Sequence, residues 1–192
     1  QPDYSAEIAQ IAASGAEAVF IFLPGGMGVN FIKQYASSGI DLPLYSGSTV
    51  DGTTLPAIGE EMMGGYSSPN FWAPDMDTPV NQRFMEDFEE TYGYIPSVYA
   101  AQGYDAAGLI DSAIRAVDGD LSDKEGLRDA LRQADFDSIR GDFRFGNNHF
   151  PVQDWYAGNV VSDDEGRATI TLGDLVAEDY QDAYHQDCAM QW

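Results

Sequence analysis

The chain has 192 residues, 44% hydrophobic and 12% aromatic, enough apolar material for one large core or two small ones. Its 9 Lys+Arg against 32 Asp+Glu give a net charge of −23, which argues against nucleic acid or an anionic membrane surface as partners, because no basic stripe exists to neutralise phosphates. No run of about 18 apolar residues occurs, so no membrane-spanning helix is expected. The acidity reads as a solvated surface suited to a salty medium, where screening relieves self-repulsion. The polar start, Gln1, Pro2 and Asp3, lacks a signal-peptide pattern, so the sequence reads as processed or truncated.

Tyr4, Ile8 and Ile11 repeat at helical spacing, and Gly15 supplies a C-terminal cap. Residues 18–23 (AVFIFL) are a short continuous apolar run, the pattern of a parallel strand buried on both faces. The loop Pro24-Gly25-Gly26-Met27-Gly28 follows, then a helix starting near Val29, carrying Phe31, Ile32 and Tyr35 and closed by Gly39. A strand over 42–46, a short helix over 53–58 and a strand over 65–68 continue the alternation. That rhythm predicts an α/β fold with a parallel sheet.

Between Ser68 and Pro79 the composition shifts. Pro69, Pro74 and Pro79 surround Phe71 and Trp72, an ordered crossover between subdomains rather than a soft linker. Thr78-Pro79 starts a helix with Phe84, Phe88 and Tyr92 on its buried face and Gly93 at its end. A long helix over 99–117 carries Ala100, Ala101, Ala106, Ala107 and Gly108, small enough for close packing. Ser122-Asp123-Lys124-Glu125 is a capping box. Strands follow over 143–145, 152–161 and 168–172, and a helix is expected around Tyr180 to Cys188.

The glycine loop sits where a phosphate loop would, but it matches neither the P-loop nor the dinucleotide pattern. Its glycines serve a tight turn, and they also open a crevice at the C-terminal end of a strand, where open α/β sheets bind ligands. The helix behind it offers free backbone N–H groups to a polar or anionic ligand. Ser46-Gly47-Ser48-Thr49 reads as a hydroxyl-rich strand-end loop adjoining the first if the two strands are neighbours. Asp51 is a ligand-facing carboxylate or a helix cap, with the cap favoured. His149 and His185 show no metal-ligand spacing and read as structural. The acidic loops at Asp118-Gly119-Asp120 and Asp163-Asp164 lack EF-hand spacing. Cys188, the single cysteine, reads as a free thiol, with a bond to a cysteine elsewhere as the alternative. No catalytic constellation, no metal site and no cofactor are expected.

Residues 3–11 (DYSAEIAQI), then Gly15-Ala16-Glu17-Ala18-Val19-Phe20, resemble the second lobe of type I periplasmic binding proteins, the leucine/isoleucine/valine-binding family. Residues 99–107 (YAAQGYDAA) resemble the helix after the crossover in that family, and Arg140-Gly141-Asp142-Phe143 with 148–154 (NHFPVQD) its closing pattern. Residues 22–31 together with Asn148-His149-Phe150-Pro151 look most like the branch associated with aromatic carboxylates.

The resemblance implies a type I periplasmic-binding-protein fold, parallel sheets flanked by helices in two lobes, present as its C-terminal half. Residues 1–70 would be second lobe, 71–151 the C-terminal part of the first lobe, and 152–192 the crossover back to the second lobe plus the tail. It implies a non-enzymatic solute-binding component of an ABC importer, closing two lobes over a small organic acid. An aromatic carboxylate is favoured and a branched-chain amino acid comes next; the alternative is the ligand-sensing domain of a receptor. The implied partners are the ligand, the importer's membrane permease and the missing N-terminal half, and the implied location is periplasmic or extracellular and membrane-tethered. Carried onto this chain, the ligand wall is Pro24, Gly25, Gly26 and Met27 with Ser48 and Thr49. Phe71, Trp72, Gln102 and Tyr104 are cleft candidates; hinge packing is an equal alternative for Phe71 and Trp72, and core packing is favoured for Tyr104. Branched-chain members place an aromatic and an acid to hold the ligand ammonium; here those positions resemble Pro24 and Ser48, which argues for a ligand without an ammonium group.

Overall fold

A computed structural model describes residues 2–47 and 49–190, apart from the side chain of Ser68. It contains two compact units: unit 1 is Gln1–Asp75 with Ala157–Asp174, and unit 2 is Met76–Tyr156 with Leu175–Trp192. The third expected segment, 152–192, is thus divided between them, because its two long strands each contribute residues to both units.

In unit 1 the predicted alternation is present. Helix α1 (Ser5–Ala13) leads to β1 (Val19–Ile21), α2 (Gly26–Ser37), β2 (Leu44–Ser46), α3 (Leu55–Met62) and β3 (Tyr66–Asn70). β1 and β2 run parallel, with Val19 opposite Leu44 and Ile21 opposite Ser46. Helix α2 turns Phe31, Ile32 and Tyr35 inward, and α3 turns Leu55, Ile58 and Met62 inward, each set at the spacing of one helix face. These residues join Ile8, Val19, Ile21, Leu44, Val160 and Ile170 in one core. The last two come from β5 (Pro151–Ser162) and β6 (Ala168–Tyr180). β5 pairs with β3, and Val160 closes the contact by donating to the Gly65 carbonyl and accepting from Gly64 N–H.

Two expectations are corrected in this unit. Helix α2 starts at Gly26 rather than near Val29, because Gly25 at φ 61° makes the turn in one residue. The run 18–23 is not buried on both faces: Val19 and Ile21 are buried, but Phe20 and Phe22 are exposed.

In unit 2, α4 (Pro79–Tyr92) starts as predicted, with the Thr78 hydroxyl accepting from Asn81 N–H and proline in the first turn. Of its expected buried face, Phe84 is buried, Phe88 half-buried and Tyr92 exposed. Helix α5 (Val98–Ala116) is capped by Ser97 and turns Ala101, Asp105 and Ala113 inward. Helix α6 (Lys124–Gln133) is capped by Asp123, which accepts from Gly126 N–H, and not by Ser122. Glu125 bonds Arg128 at 2.7 Å instead of reaching back. β4 (Arg144–Phe145) is antiparallel to β5.

The helix expected at 180–188 is absent. β6 continues to Tyr180, and only a short 3-10 turn, His185–Asp187, follows. Specific polar contacts hold this stretch extended: Asp179 N–H donates to Asp154, Arg144 pairs with Asp179 at 2.9 Å, and Asn148 donates to Asp182.

Candidate functional site

The two loops singled out in the sequence leave the C-terminal ends of β1 and β2, which are parallel neighbours in unit 1. They meet through a specific pair of contacts. The Thr49 hydroxyl donates to the Leu23 carbonyl at 2.7 Å. A Cβ at Gly28 would overlap both that carbonyl and the Thr49 methyl, so only glycine lets the first turn of α2 lie against the second loop. One further bond, Gly47 N–H to the Ile21 carbonyl at 2.8 Å, continues the β1–β2 ladder into the loop.

The first loop presents Pro24, Gly25, Gly26 and Met27, all exposed. Gly25 occupies the N-cap position of α2 without a side-chain cap. The early N–H groups of α2 are therefore not satisfied by a side-chain cap, at the positive end of the helix dipole. The described hydroxyls of the second loop are spent internally. Ser46, fully buried, accepts from Val50 N–H, and the Thr54 hydroxyl donates to the Thr49 carbonyl. Asp51 is buried and accepts from the N–H and hydroxyl of Thr53 and from Thr54 N–H. It holds the turn ahead of α3, where Thr54 occupies the cap position itself. Segments 22–28 and 46–50 contain no charged residue. The arrangement can accept a flat apolar body against Pro24 and Met27 and offer N–H donors to an anionic group. Its one carboxylate, Asp51, is buried and already bonded to Thr53 and Thr54 rather than offered to an ammonium.

The structure thus joins Pro24, Gly25, Gly26 and Met27 to Thr49, and gives Thr49 the role of a brace. Ser48 lies outside the described residues. Phe71 is half-buried and Trp72 is 3% exposed, both in unit 1 directly after β3. Gln102 and Tyr104 belong to α5 in unit 2; Gln102 is exposed, and Tyr104 is 37% exposed with its ring 4.9 Å from that of Phe84, so it is not a core residue. The reading of the sequence missed the Leu23 carbonyl and the packing need at Gly28. Their only signal was the position of a third glycine, Gly28, after a strand end. An open groove of about 560 Å³ between α1 and α2, lined in part by Ile8, Ala12, Lys33 and Ile40, does not involve these loops. Among the described residues no group of three or more His, Cys, Asp or Glu side chains could hold a metal ion, and no helix is long and apolar enough to cross a membrane.

Comparison with known proteins gives consistent matches. The family described as periplasmic binding protein matches residues 1–166. The Leu/Ile/Val-binding protein homolog 6 of Brucella melitensis is 29% identical over 175 residues, covering 85% of this chain and 44% of that protein. The solute-binding protein of an ABC transporter from R. palustris, solved with benzoate, is 32% identical with a TM-score of 0.83, covering 95% of this chain and 49% of the other. A second R. palustris solute-binding protein, solved with 4-hydroxybenzoate, is 26% identical with a TM-score of 0.81, covering 94% and 50%. The chain therefore spans about half the length of the proteins it resembles.

Proposed function

The chain belongs to the periplasmic binding protein family, and from that premise we propose that it is part of a solute receptor that delivers a small aromatic carboxylate to an ABC importer. The observation that carries this reading is the pairing of the β1–α2 and β2–α3 loops. Their segments 22–28 and 46–50 form an uncharged wall, with exposed Pro24 and Met27 beside the N-terminus of α2 and Asp51 buried behind it. An aromatic acid matches that wall in both its parts, since apolar contact supplies affinity and a few N–H donors orient the carboxylate. A branched-chain amino acid would bring an ammonium group for which segments 22–28 and 46–50 hold no acid. The benzoates bound by two similar R. palustris proteins support the same choice.

In this reading unit 1 is second-lobe material and unit 2 belongs to the first lobe. Pro24, Gly25, Gly26 and Met27 line the ligand wall, braced by Thr49, and Ser48 is a further ligand-wall candidate. Phe71, Trp72, Gln102 and Tyr104 are secondary candidates. The protein works outside the cytoplasm, binds without turnover and hands its ligand to a membrane permease. The test is calorimetric titration with benzoate, 4-hydroxybenzoate, leucine and isoleucine. Binding of a benzoate with no heat from either amino acid is expected; the reverse order would overturn the choice of ligand.

A further inference from the structure

The open groove between α1 and α2 is walled by two kinds of side chain. Ile8, Ala9 and Ala12 from α1 and Ile40 beyond α2 supply its apolar surface, and Ile8 and Ile40 also pack in the core of unit 1. Its hydroxyl hydrogens are all engaged: Ser5 donates to Asp3, Ser37 to the Lys33 carbonyl and Ser38 to the Tyr35 carbonyl. Gln34 accepts from Tyr4 N–H and donates one amide hydrogen to the Pro2 carbonyl. The donors left over are the second amide hydrogen of Gln34 and the Lys33 ammonium. Lys33 and Arg167 are the two cations of unit 1. Arg167 pairs with Asp163 at 2.7 Å, whereas Lys33 forms no ion pair among the described residues. No residue lining the groove is acidic, in a chain that carries 32 Asp+Glu.

These groups define the ligand they would hold. Its head must accept hydrogen bonds, because the open polar groups are donors, and it must be negative, because the main donor is a lone ammonium. Its body must be apolar and slim, because the lining is Ala and Ile with no aromatic ring to stack on. The volume, about 560 Å³, is that of a small-molecule site. The groove follows α1 only from Ser5 to Ala12, about 10 Å of helix, too short to seat a partner helix of ordinary length. We propose that the α1–α2 groove is a further ligand site, for a slim alkyl monocarboxylate whose chain lies on Ile8, Ala9, Ala12 and Ile40 and whose carboxylate pairs with Lys33. The site is apart from the two strand-end loops and does not rest on the family reading.

The test titrates the 192-residue chain with octanoate, hexanoate and octylamine while backbone amide shifts are recorded. Octanoate is expected to move the amides of Ala9, Ala12 and Gln34, and affinity should fall about 2- to 4-fold for each methylene removed. Lys33→Gln should weaken octanoate about 5-fold, the size of a solvent-exposed ion pair, while Lys33→Arg keeps the charge and the affinity. Ala12→Phe, at an exposed position, should fill the groove and abolish the shifts without changing the melting temperature. Octylamine binding as tightly as octanoate would overturn the proposal, since the groove would then read the chain alone. So would unaltered affinity in Lys33→Gln, shifts confined to residues 24–28, or no shift at all.

Discussion

The Asp105 carboxylate on α5 pairs with the Arg140 guanidinium at 2.8 Å, with side chains only 4% and 12% exposed. Asp105 also accepts from the Ser138 hydroxyl at 2.7 Å and from Ile139 N–H at 3.0 Å. Arg140 in turn donates to Gln153 at 2.8 Å and lies over the Phe143 ring. One carboxylate thus ties the turn at 138–141 to α5 and, through Arg140, to β5. Removing its charge takes the counter-charge from a guanidinium that is 12% exposed. Asp105→Asn is expected to lower the stability of unit 2 by about 3–5 kcal/mol, read from its urea transition. Arg140→Lys should not restore it, since one ammonium lacks the planar fork that serves Asp105 and Gln153 together. A change below about 0.5 kcal/mol, the size of an ordinary surface substitution, would contradict this role.

Gly28 and Thr49 should behave as a coupled pair. Gly28→Ala forces the two strand-end loops apart, because its methyl overlaps the Leu23 carbonyl and the Thr49 side chain. A cost of about 1–3 kcal/mol from overpacking is expected, with a matching loss of ligand affinity. Thr49→Ser keeps the hydroxyl while removing the methyl, and it should recover part of that cost in the double variant. Strict additivity of the two substitutions in thermal unfolding would refute the coupling.

Met27 offers a separation of binding from folding. Its side chain is 48% exposed, so Met27→Ala should leave the melting temperature within about 2 °C, consistent with the small effect of surface substitutions. Benzoate affinity should fall by about 3- to 10-fold, the loss of one or two buried methylenes. Calorimetry decides between this outcome and unchanged affinity.

Tyr35 sets an alkaline limit on unit 1. Burial raises its pKa, and the charge of Asp41 acts in the same direction. The folded pKa therefore lies above the unfolded one, near 10. Its contribution to stability is complete below the unfolded pKa and is lost as pH rises through the folded one. Tyr35→Phe should flatten the fall in stability above about pH 10, while an unchanged alkaline limb would rule Tyr35 out as its source.

The net charge of −23 predicts a salt response of definite sign. Raising sodium chloride from about 0.1 M to 1 M shortens the screening length from about 10 Å to 3 Å, which weakens self-repulsion more than the few exposed ion pairs. The melting temperature should rise with salt. A flat or falling trend in differential scanning calorimetry would show that these pairs matter more than the net field.

Much of unit 1 was legible in the sequence because its signals are local. Apolar spacing marked α1, α2 and both strands, the glycines marked their ends, and Thr78-Pro79 marked the start of α4. The glycine loop announced the turn between β1 and α2 because a strand end followed by a one-residue turn needs those residues. Contacts distant in sequence were not legible. No periodicity reveals that Thr49 braces Leu23 across 26 positions, or that Asp105 collects Ser138, Ile139 and Arg140 from more than 30 residues away. The tail looked helical on local preference, yet Asp154, Arg144 and Asn148 draw 179–182 into an extended path. The sequence by itself determined the order of helices and strands in residues 5–70 and the chemistry of the exposed loop, since both follow from neighbouring residues. Only the tertiary structure decided which hydroxyls are spent inside, which carboxylate is buried and which face of β1 stands open, because those depend on what the folded chain brings beside each group.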